Sequence, residues 1–305
     1  MVKLSRVLLL VIVIVAIAWV AYTYFQPVRV LAWVVLGRNS ACTLDAALKS
    51  GDNLKQQIEY KDQILNASKM LQADTQGFEQ WETPAGAYWI PAGSRYLLPF
   101  GLAEQKRKIY GSGDYGPHAG DITLDCGANI GVTVHEELAA GAKLVVAIEP
   151  APENLECLRR NFPSEITTGR VIIVPKGVWN KDDFLTLRVD PKNSGADSFV
   201  IKHEGEVDLD RVPLTTIDQL VADLKLPRVD YIKMDIEGAE PKALEGARAT
   251  LAKFKPRLSV ASYHEPDHAQ LIPKVIFAAR SDYVMACGPC QETEHSIRPD
   301  ALYFK

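Results

Sequence analysis

The sequence predicts an α/β fold, namely a doubly wound and mostly parallel sheet with an antiparallel C-terminal strand, preceded by an N-terminal transmembrane helix. Three observations predict it. An uncharged apolar stretch lies near the start of the chain. From residue 121 onward, short apolar runs alternate with amphipathic stretches, as in parallel sheets covered by helices on both faces. The last apolar runs, YVMAC and ALYFK, are joined only by a loop, which favours an antiparallel strand at the sheet edge.

The uncharged stretch covers residues 7–25 and has basic residues on both sides. It is long enough for a helix to cross a bilayer, so we interpret residues 1–38 as a membrane anchor and juxtamembrane segment. A second apolar patch, residues 28–36, is too short to span. It would either extend the first helix or lie in the membrane interface.

A cleavable signal peptide is the alternative to an anchor, because Ala16 and Ala18 form a small-x-small pattern after a short apolar run. The apolar segment continues past that point into Tyr22, Tyr24 and Phe25. Aromatic residues are enriched where a helix leaves the bilayer. We therefore favour the anchor.

Residues 39–115 are interpreted as a helical connector and a hairpin. Residues 40–75 are polar, with leucine and isoleucine at loosely helical intervals. Residues 78–91 are instead aromatic and β-branched around the sequence PAG at 84–86, which predicts two strands joined by a turn. Residues 116–305 then form the α/β domain.

Composition limits the partners and the compartment. Lys plus Arg number 34 against 38 Asp plus Glu, and no long basic run occurs, so we expect no nucleic-acid partner. Five cysteines are few for a disulfide scaffold, and an odd number cannot all pair within the chain. This favours a reducing compartment. The CGPC at 287–290 lies too near the C-terminus for a thioredoxin-like motif, and we expect ordinary cysteines there.

The first strand of the α/β domain ends in DCGANIG at 125–131 and leads directly into a helix. Gly127 and Gly131 allow a tight turn and close approach of a ligand to the backbone. Their spacing is G-x-x-x-G, whereas a dinucleotide site has G-x-G-x-x-G. Asp125 would repel a pyrophosphate but would attract an ammonium or sulfonium group. The pattern therefore indicates S-adenosylmethionine.

The second strand ends in Glu149. In a doubly wound sheet, a carboxylate at this position can accept hydrogen bonds from both hydroxyls of a ribose. The alternative is that Glu149 caps the following helix through its first turn.

The stretch VDYIKMDIEGAE at 229–240 resembles a buried strand, yet one of its faces carries Lys233, Asp235 and Glu237. Charged groups inside a sheet need partners. We expect Asp235 to face the methionine portion or the reacting centre, Glu237 to form part of an acceptor pocket, and Lys233 to neutralise one of them. A buried ion-pair network without ligand contact is the alternative.

Four segments resemble the FkbM family of S-adenosylmethionine-dependent methyltransferases: DITLDCGANIG, AIEP with its following helix, VPLTTIDQL and VDYIKMDIEGAE. The resemblance covers about residues 120–285. It implies a class I methyltransferase fold and methylation of a hydroxyl on a sugar, glycolipid or secondary metabolite. It also implies that the cofactor contacts Asp125, Gly127, Asn129, Gly131, Glu149 and Asp235.

The sequence departs from the family after RLSV, where a glutamate is common and Ala261-Ser262-Tyr263-His264 stands instead. An alcohol must lose its proton as it attacks, so a base is expected. We select Glu237 and His264 as the catalytic candidates. A metal held by His264, Asp267 and His268 is disfavoured because Pro266 breaks the helix that would align them, so no metal is expected.

Two other functions stay open. A membrane-tethered module would bind cofactor without transferring a methyl group. An NAD-type oxidoreductase would need a third glycine in the first turn, which is missing.

Membrane orientation is ambiguous in the sequence. Lys3 and Arg6 favour a cytoplasmic N-terminus and an outward domain, whereas Arg29 and Arg38 favour the reverse. Because S-adenosylmethionine is a cytosolic metabolite, we expect a single-pass protein with a cytoplasmic catalytic domain. Its expected partners are a small-molecule or glycan acceptor and the membrane.

Overall fold

The structure, a computed structural model, describes residues 2–39, 41–189, 197–201, 207–293 and 296–305. The first 115 residues form helices and a small antiparallel sheet. The helices are α1 (Val2–Tyr24), α2 (Gln26–Val35), α3 (Leu44–Leu48), α4 (Ser50–Ala67) and α5 (Leu97–Arg107). The strands are β1 (Lys69–Ala73), β2 (Phe78–Thr83) and β3 (Gly86–Pro91). β2 and β3 pair antiparallel, as the sequence predicts, and β1 adds to β2.

The remaining residues follow a 3-10 turn at Gly113–Tyr115 and contain both strands and helices. The strands are β4 (Ile122–Cys126), β5 (Leu144–Ile148), β6 (Val171–Val174), β7 (Gly177–Val178), β8 (Asp183–Val189), β9 (Val207–Thr215), β10 (Tyr231–Met234), β11 (Arg257–Ala261), β12 (Met285–Cys287), β13 (Cys290–Glu292), β14 (Ile297–Pro299) and β15 (Ala301–Phe304). The helices are α6 (Val132–Ala139), α7 (Pro152–Asn161), α8 (Pro163–Thr167), α9 (Ile217–Asp223), α10 (Glu240–Glu245), α11 (Arg248–Phe254) and α12 (His268–Ala279).

The main sheet has seven strands in the order β12-β15-β11-β10-β4-β5-β6. The five strands from β11 to β6 are mutually parallel. The order reverses between β4 and β10, because the chain runs outward from β4 to β6 and then returns to start the other half at β10. This reversal is the topological switch point of a doubly wound sheet, where ligands bind beyond the carboxyl ends of the strands. The predicted fold class is confirmed.

Two details of the predicted strands were wrong. β15 is antiparallel, as predicted, but it lies between β11 and β12 and pairs with both, so β12 forms the edge. Chain order alone does not reveal such an insertion. The apolar run SFVIK at 198–202 also predicts a strand, whereas its described residues 198–201 contribute only a single bridge, between Ser198 and Arg188.

The strands beside the switch point are buried on both faces. Leu124, Val146, Ile232 and Val260 are fully buried in one apolar cluster, whereas the alternate positions of β4 and β10 carry the buried polar side chains Thr123, Asp125 and Lys233.

The small sheet of the first 115 residues packs directly on this α/β core through β3. The side chain of Asn161 at the end of α7 accepts from Trp89 N at 2.7 Å and donates to Trp89 O at 3.1 Å, as a neighbouring strand would. It also donates to Ile130 O. These contacts fix β3 beside the turn that follows β4, so the segment that was predicted to be a connector helps to shape the site.

The N-terminal helix α1 has the length and composition of a membrane span. Residues Val7–Tyr24 have a mean hydropathy of 2.6, and none of this window is buried against the rest of the chain. α2 instead packs one face on the β13–β14 hairpin through Val30 and Trp33.

Cys42 and Cys290 form a disulfide that joins the start of the 39–115 segment to β13. The expectation of ordinary cysteines was therefore wrong for Cys290. These residues are separated by 248 positions, and their pairing depends on how α2 and α3 pack on the hairpin. Cys126, Cys157 and Cys287 are free.

Candidate functional site

A cavity of about 470 Å³ lies beyond the carboxyl ends of β4, β5 and β10. This volume is within the usual range for small-molecule sites. Its lining includes the turn after β4 and Glu149, and also Asp235, Glu237 and His264. Part of α5, Tyr110, the β7 residues Gly177 and Val178, and Phe199 also contribute to the lining.

The turn after β4 brings backbone close to the cavity. A side chain at Gly127 (φ 78°) would lie 1.8 Å from Asp235 O, so only glycine allows these two strand ends to meet. Asn129 also has a positive φ of 49° and lines the cavity. A Cβ at Gly131 would lie 2.2 Å from the Phe162 ring, so this glycine permits packing of α6 on α7 and does not line the cavity.

Glu149 is buried at the end of β5 and already has backbone partners. Its Oε2 accepts from Asn129 N at 2.8 Å and its Oε1 from Ala151 N at 2.8 Å. Burial raises the pKa of this carboxyl, and the two backbone bonds oppose the rise. Ala151 is the N-cap of α7, so the capping role proposed as the alternative is present. A carboxylate has about four lone-pair directions, which leaves capacity for hydroxyl donors.

Asp125 does not line the cavity. Its Oδ1 lies 3.1 Å from Lys233 Nζ, and Lys233 also donates to Gly127 O at 2.8 Å. Burial lowers the pKa of Lys233, but Asp125 and Asp235 more than reverse this, so the ammonium form is retained. Lys233 itself is part of the cavity wall.

Asp235 lies directly after β10 and is held by two tyrosines. Tyr110 donates to Oδ2 at 2.6 Å, and Tyr263 donates to Oδ1 at 3.4 Å. Asp235 N donates to Cys126 O, which keeps the ends of β4 and β10 together.

A second group of charges lies next to Asp235. His264 Nε2 is 3.2 Å from Glu237 Oε1 and 3.4 Å from Asp235 Oδ1. On the other side of the ring, His264 Nδ1 is 2.9 Å from Glu240 Oε1. Glu240 is fully buried, accepts from Ile236 N, and lies 3.4 Å from His268 Nδ1. Glu237 and Glu240 therefore contact the two nitrogens of the His264 ring from opposite sides.

These neighbours change the pKa values of His264 and Glu237. Burial lowers the pKa of His264, but Glu240 and Glu237 reverse this and place it well above the usual 6.5. Burial raises the pKa of Glu237, although His264 opposes the rise. The imidazolium form of His264 is therefore favoured more than in a free histidine, and Glu237 is the member of the pair that we consider as the proton acceptor.

The same residues offer donor atoms for a cation. Single atoms of Asp235, Glu237 and His264 lie within 4.8 Å of one another. Carboxylate and imidazole ligands suit several divalent metals. The metal group weighed from sequence was different, since it joined His264 to His268 and to Asp267, which is exposed.

Sequence reasoning missed Glu104 and Tyr110, which lie in or just after α5 and line the cavity. Burial, and then Asp235, raise the pKa of Glu104 well above 4.5. No local pattern distinguishes these residues, because they reach the site only through the packing of α5 on the core.

The strand order, the glycine turn and the acidic strand ends together define a class I methyltransferase. The family model described as "Methyltransferase FkbM domain" matches residues 125–285, more than half of the chain. The chain belongs to the FkbM methyltransferase family, and its cofactor is S-adenosylmethionine.

Several solved structures are similar in fold. Methyltransferase FkbM from Methylobacillus flagellatus is 20% identical over 84% of this chain and 60% of its own, with a TM-score of 0.47. Precorrin-6y C5,15-methyltransferase from Geobacter metallireducens is 12% identical over 67% and 84%, with a TM-score of 0.36. A Streptococcus mutans protein in complex with SAH is 12% identical over 62% and 89%, with a TM-score of 0.36.

All three TM-scores are below 0.5, so the family membership is based on the family model alone. The chain spans 60% of the length of the Methylobacillus protein. No curated protein matches the chain significantly.

Proposed function

We propose that the protein transfers a methyl group from S-adenosylmethionine to a hydroxyl on a sugar, glycolipid or secondary metabolite. The observation that carries this proposal is the Glu237–His264 pair, which lines the same cavity as Glu149 and Asp235. The cavity thus offers places for a nucleoside cofactor at one end and a proton acceptor at the other.

The cofactor is proposed to lie along the strand ends. The turn at Gly127 and Asn129 contacts the nucleoside, and Glu149 accepts from the ribose hydroxyls. Asp235 attracts the methionine ammonium. Lys233 has three donors, of which two contact Asp125 and Gly127, and the third suits the methionine carboxylate. Asp125 therefore acts through Lys233 and not by direct contact, and Gly131 acts by packing.

The reaction is an in-line displacement. Bound S-adenosylmethionine would supply an electrophilic methyl group. The acceptor oxygen would bond to the methyl carbon as the carbon–sulfur bond breaks, and the electron pair of the broken bond would remain on sulfur in the neutral thioether. The hydroxyl proton passes to Glu237. His264 keeps Glu237 oriented, and Glu240 keeps His264 oriented. Such a base typically contributes about 10²- to 10⁴-fold, and positioning in a site that excludes water supplies the rest.

A transfer assay tests this proposal. The full chain in detergent is incubated with methyl-labelled donor and fractionated glycans, lipids or metabolites, and products are analysed by mass spectrometry. We expect a labelled methyl ether that is stable to base, and its formation should depend on Glu237. Labelling of nitrogen or carbon would contradict hydroxyl methylation. Binding of the donor without any transfer would favour the non-catalytic module.

The orientation in the membrane is also proposed. A cytosolic donor favours a cytoplasmic domain, but two observations support the opposite side. Disulfides such as Cys42–Cys290 persist in oxidising compartments. Arg29 is paired with Glu292, which reduces the positive charge that would retain this end of the helix inside. We propose that the domain faces the oxidising side, which requires the donor to cross the membrane.

Thiol trapping tests the orientation. Intact cells are treated with a permeant alkylating reagent before lysis, and the chain is analysed without reduction. We expect Cys42 and Cys290 to remain unmodified and linked. Alkylation of both would support the cytoplasmic orientation instead.

A further inference from the structure

The chain bends at Phe25, between α1 and α2, and we call this bend the elbow. Phe25 has extended backbone angles (φ −112°, ψ 98°), so the two helices are not continuous. Trp33 Nε1 donates to Tyr22 Oη at 2.8 Å. In one straight helix these residues would be about 16 Å apart along the axis. α2 therefore turns away from the direction of α1 and lies against its C-terminal end.

Arg29 fixes this elbow to the catalytic domain. Its Nη1 donates to Thr23 O at 3.1 Å and to Tyr22 O at 3.3 Å, which satisfies carbonyls in the last turn of α1. Its Nε and Nη2 pair with the Glu292 carboxylate on β13. One side chain thus joins the candidate span, α2 and the hairpin. The Cys42–Cys290 disulfide adds a covalent link to the same hairpin.

The outward face of α2 is apolar although its inward face is already buried. Val30 and Trp33 pack on the hairpin. Val28, Leu31 and Val35 recur at helical spacing on the other side and are 41%, 47% and 86% exposed, and Leu36 follows at 66%. A helix that lies on a soluble domain normally presents polar residues to water. The exposed residues of this helix include none with a charge.

We propose that α2 lies in the interface of the bilayer that α1 enters, with Val28, Leu31, Val35 and Leu36 directed toward the acyl chains. Two features of the structure support a bilayer as the occupant. The apolar face begins within one turn of the candidate span, and the elbow sets α2 at an angle to that span. Interfacial helices bind with an apolar face in the boundary between headgroups and acyl chains.

As a consequence, the domain keeps a fixed orientation relative to the membrane. A flexible tether would allow the domain to rotate away from the membrane. Arg29 instead fastens α2 to the domain, and the disulfide fastens the segment that follows α2, so the domain is held against the membrane surface. This inference is independent of the proposed reaction.

Nitroxide accessibility tests the inference on the full chain in phosphatidylcholine nanodiscs. The background is Cys287→Ser, since the other free thiols, Cys126 and Cys157, are buried. Labels are placed at Val35→Cys and, separately, at Leu31→Cys. The matched control is Met70→Cys on β1, an exposed apolar position outside the elbow at 51% exposure.

We expect the Val35 and Leu31 labels to collide several-fold more with oxygen, relative to a water-soluble nickel chelate, than the Met70 label does. Equal ratios at all three positions would place α2 in water and overturn the proposal. Discs that hold one chain each separate the bilayer from a second copy of the protein. A raised ratio of oxygen to nickel collisions that is lost in one-chain discs, together with spin–spin broadening in discs that hold two chains, would identify a contact between two copies of the protein. That result would also overturn the proposal.

Discussion

Lys233 and Asp125 face each other from neighbouring parallel strands, with Nζ 3.1 Å from Oδ1 and both side chains at most 4% exposed. The pairing follows from register, because β10 and β4 align these two positions. It explains how a core strand accommodates a lysine. It also means that Asp125 stabilises the site from beneath the cavity wall.

Removing Asp125 should destabilise the fold. Asp125→Ala leaves a buried ammonium without its partner, which typically costs about 3–5 kcal/mol. Thermal unfolding in detergent, followed by intrinsic fluorescence, measures the effect. The double variant Asp125→Leu/Lys233→Met should recover much of the loss because it removes both charges. A single variant as stable as the wild type would show that the pair does not stabilise the fold.

Glu237 is expected to control turnover without affecting cofactor binding. Glu237→Gln should lower kcat by about 10²- to 10⁴-fold, the usual range for loss of a general base, and should leave the dissociation constant of S-adenosylmethionine nearly unchanged. Asp267→Asn, at an exposed position near the site, is the matched control. An unchanged rate in Glu237→Gln would remove this residue as the base.

The pH profile gives an independent check of the same role. Burial raises the pKa of Glu237, so the base becomes protonated, and turnover falls, at a higher pH than for an ordinary glutamate. Activity should therefore rise with pH through this raised pKa and then level off. In Glu237→Gln the residual activity should lack that rise. A wild-type rise located at or below pH 4.5 would contradict the assignment.

Glu240 is expected to act as a positioning residue for His264. It is the first of the groups that raise the pKa of this histidine, so Glu240→Gln should lower that pKa and reduce kcat with little change in KM. Nitrogen NMR of the imidazole measures the pKa directly. Glu245→Gln, at the other end of α10, is the control. A merely structural role would lower stability without moving the imidazole titration.

Chelation distinguishes a side-chain base from a metal. If Glu237 accepts the proton directly, dialysis against EDTA should leave the rate unchanged, and added magnesium or manganese should not increase it. Loss of activity that either ion restores would show that Asp235, Glu237 and His264, whose donor atoms lie within 4.8 Å of one another, hold a cation. Apo protein is compared with a mock-dialysed sample.

The sequence indicates which residues lie at the strand ends that border the site. Glu149 and Asp235 follow apolar runs, and parallel strands bring their carboxyl ends to one edge, so both line the same cavity. Gly131 has the same local signature as Gly127, but its contact with the Phe162 ring depends on how two helices pack.

The remaining differences also arise from long-range packing. Tyr110 reaches Asp235 across 125 positions, and Cys42 reaches Cys290 across 248. No periodicity within a short window encodes such contacts. The insertion of β15 between β11 and β12 is a further example, since the apolar run predicts a strand but does not predict which strands it pairs with.

Calorimetric titration of S-adenosylmethionine into the full chain tests the central claim most directly. The variants are Glu149→Gln and, as a matched control, Glu153→Gln, an exposed position on α7 four residues further along the chain. The account predicts saturable binding to the wild type and to Glu153→Gln, and at least tenfold weaker binding to Glu149→Gln, about 1.4 kcal/mol. Equal affinity in all three proteins would contradict it.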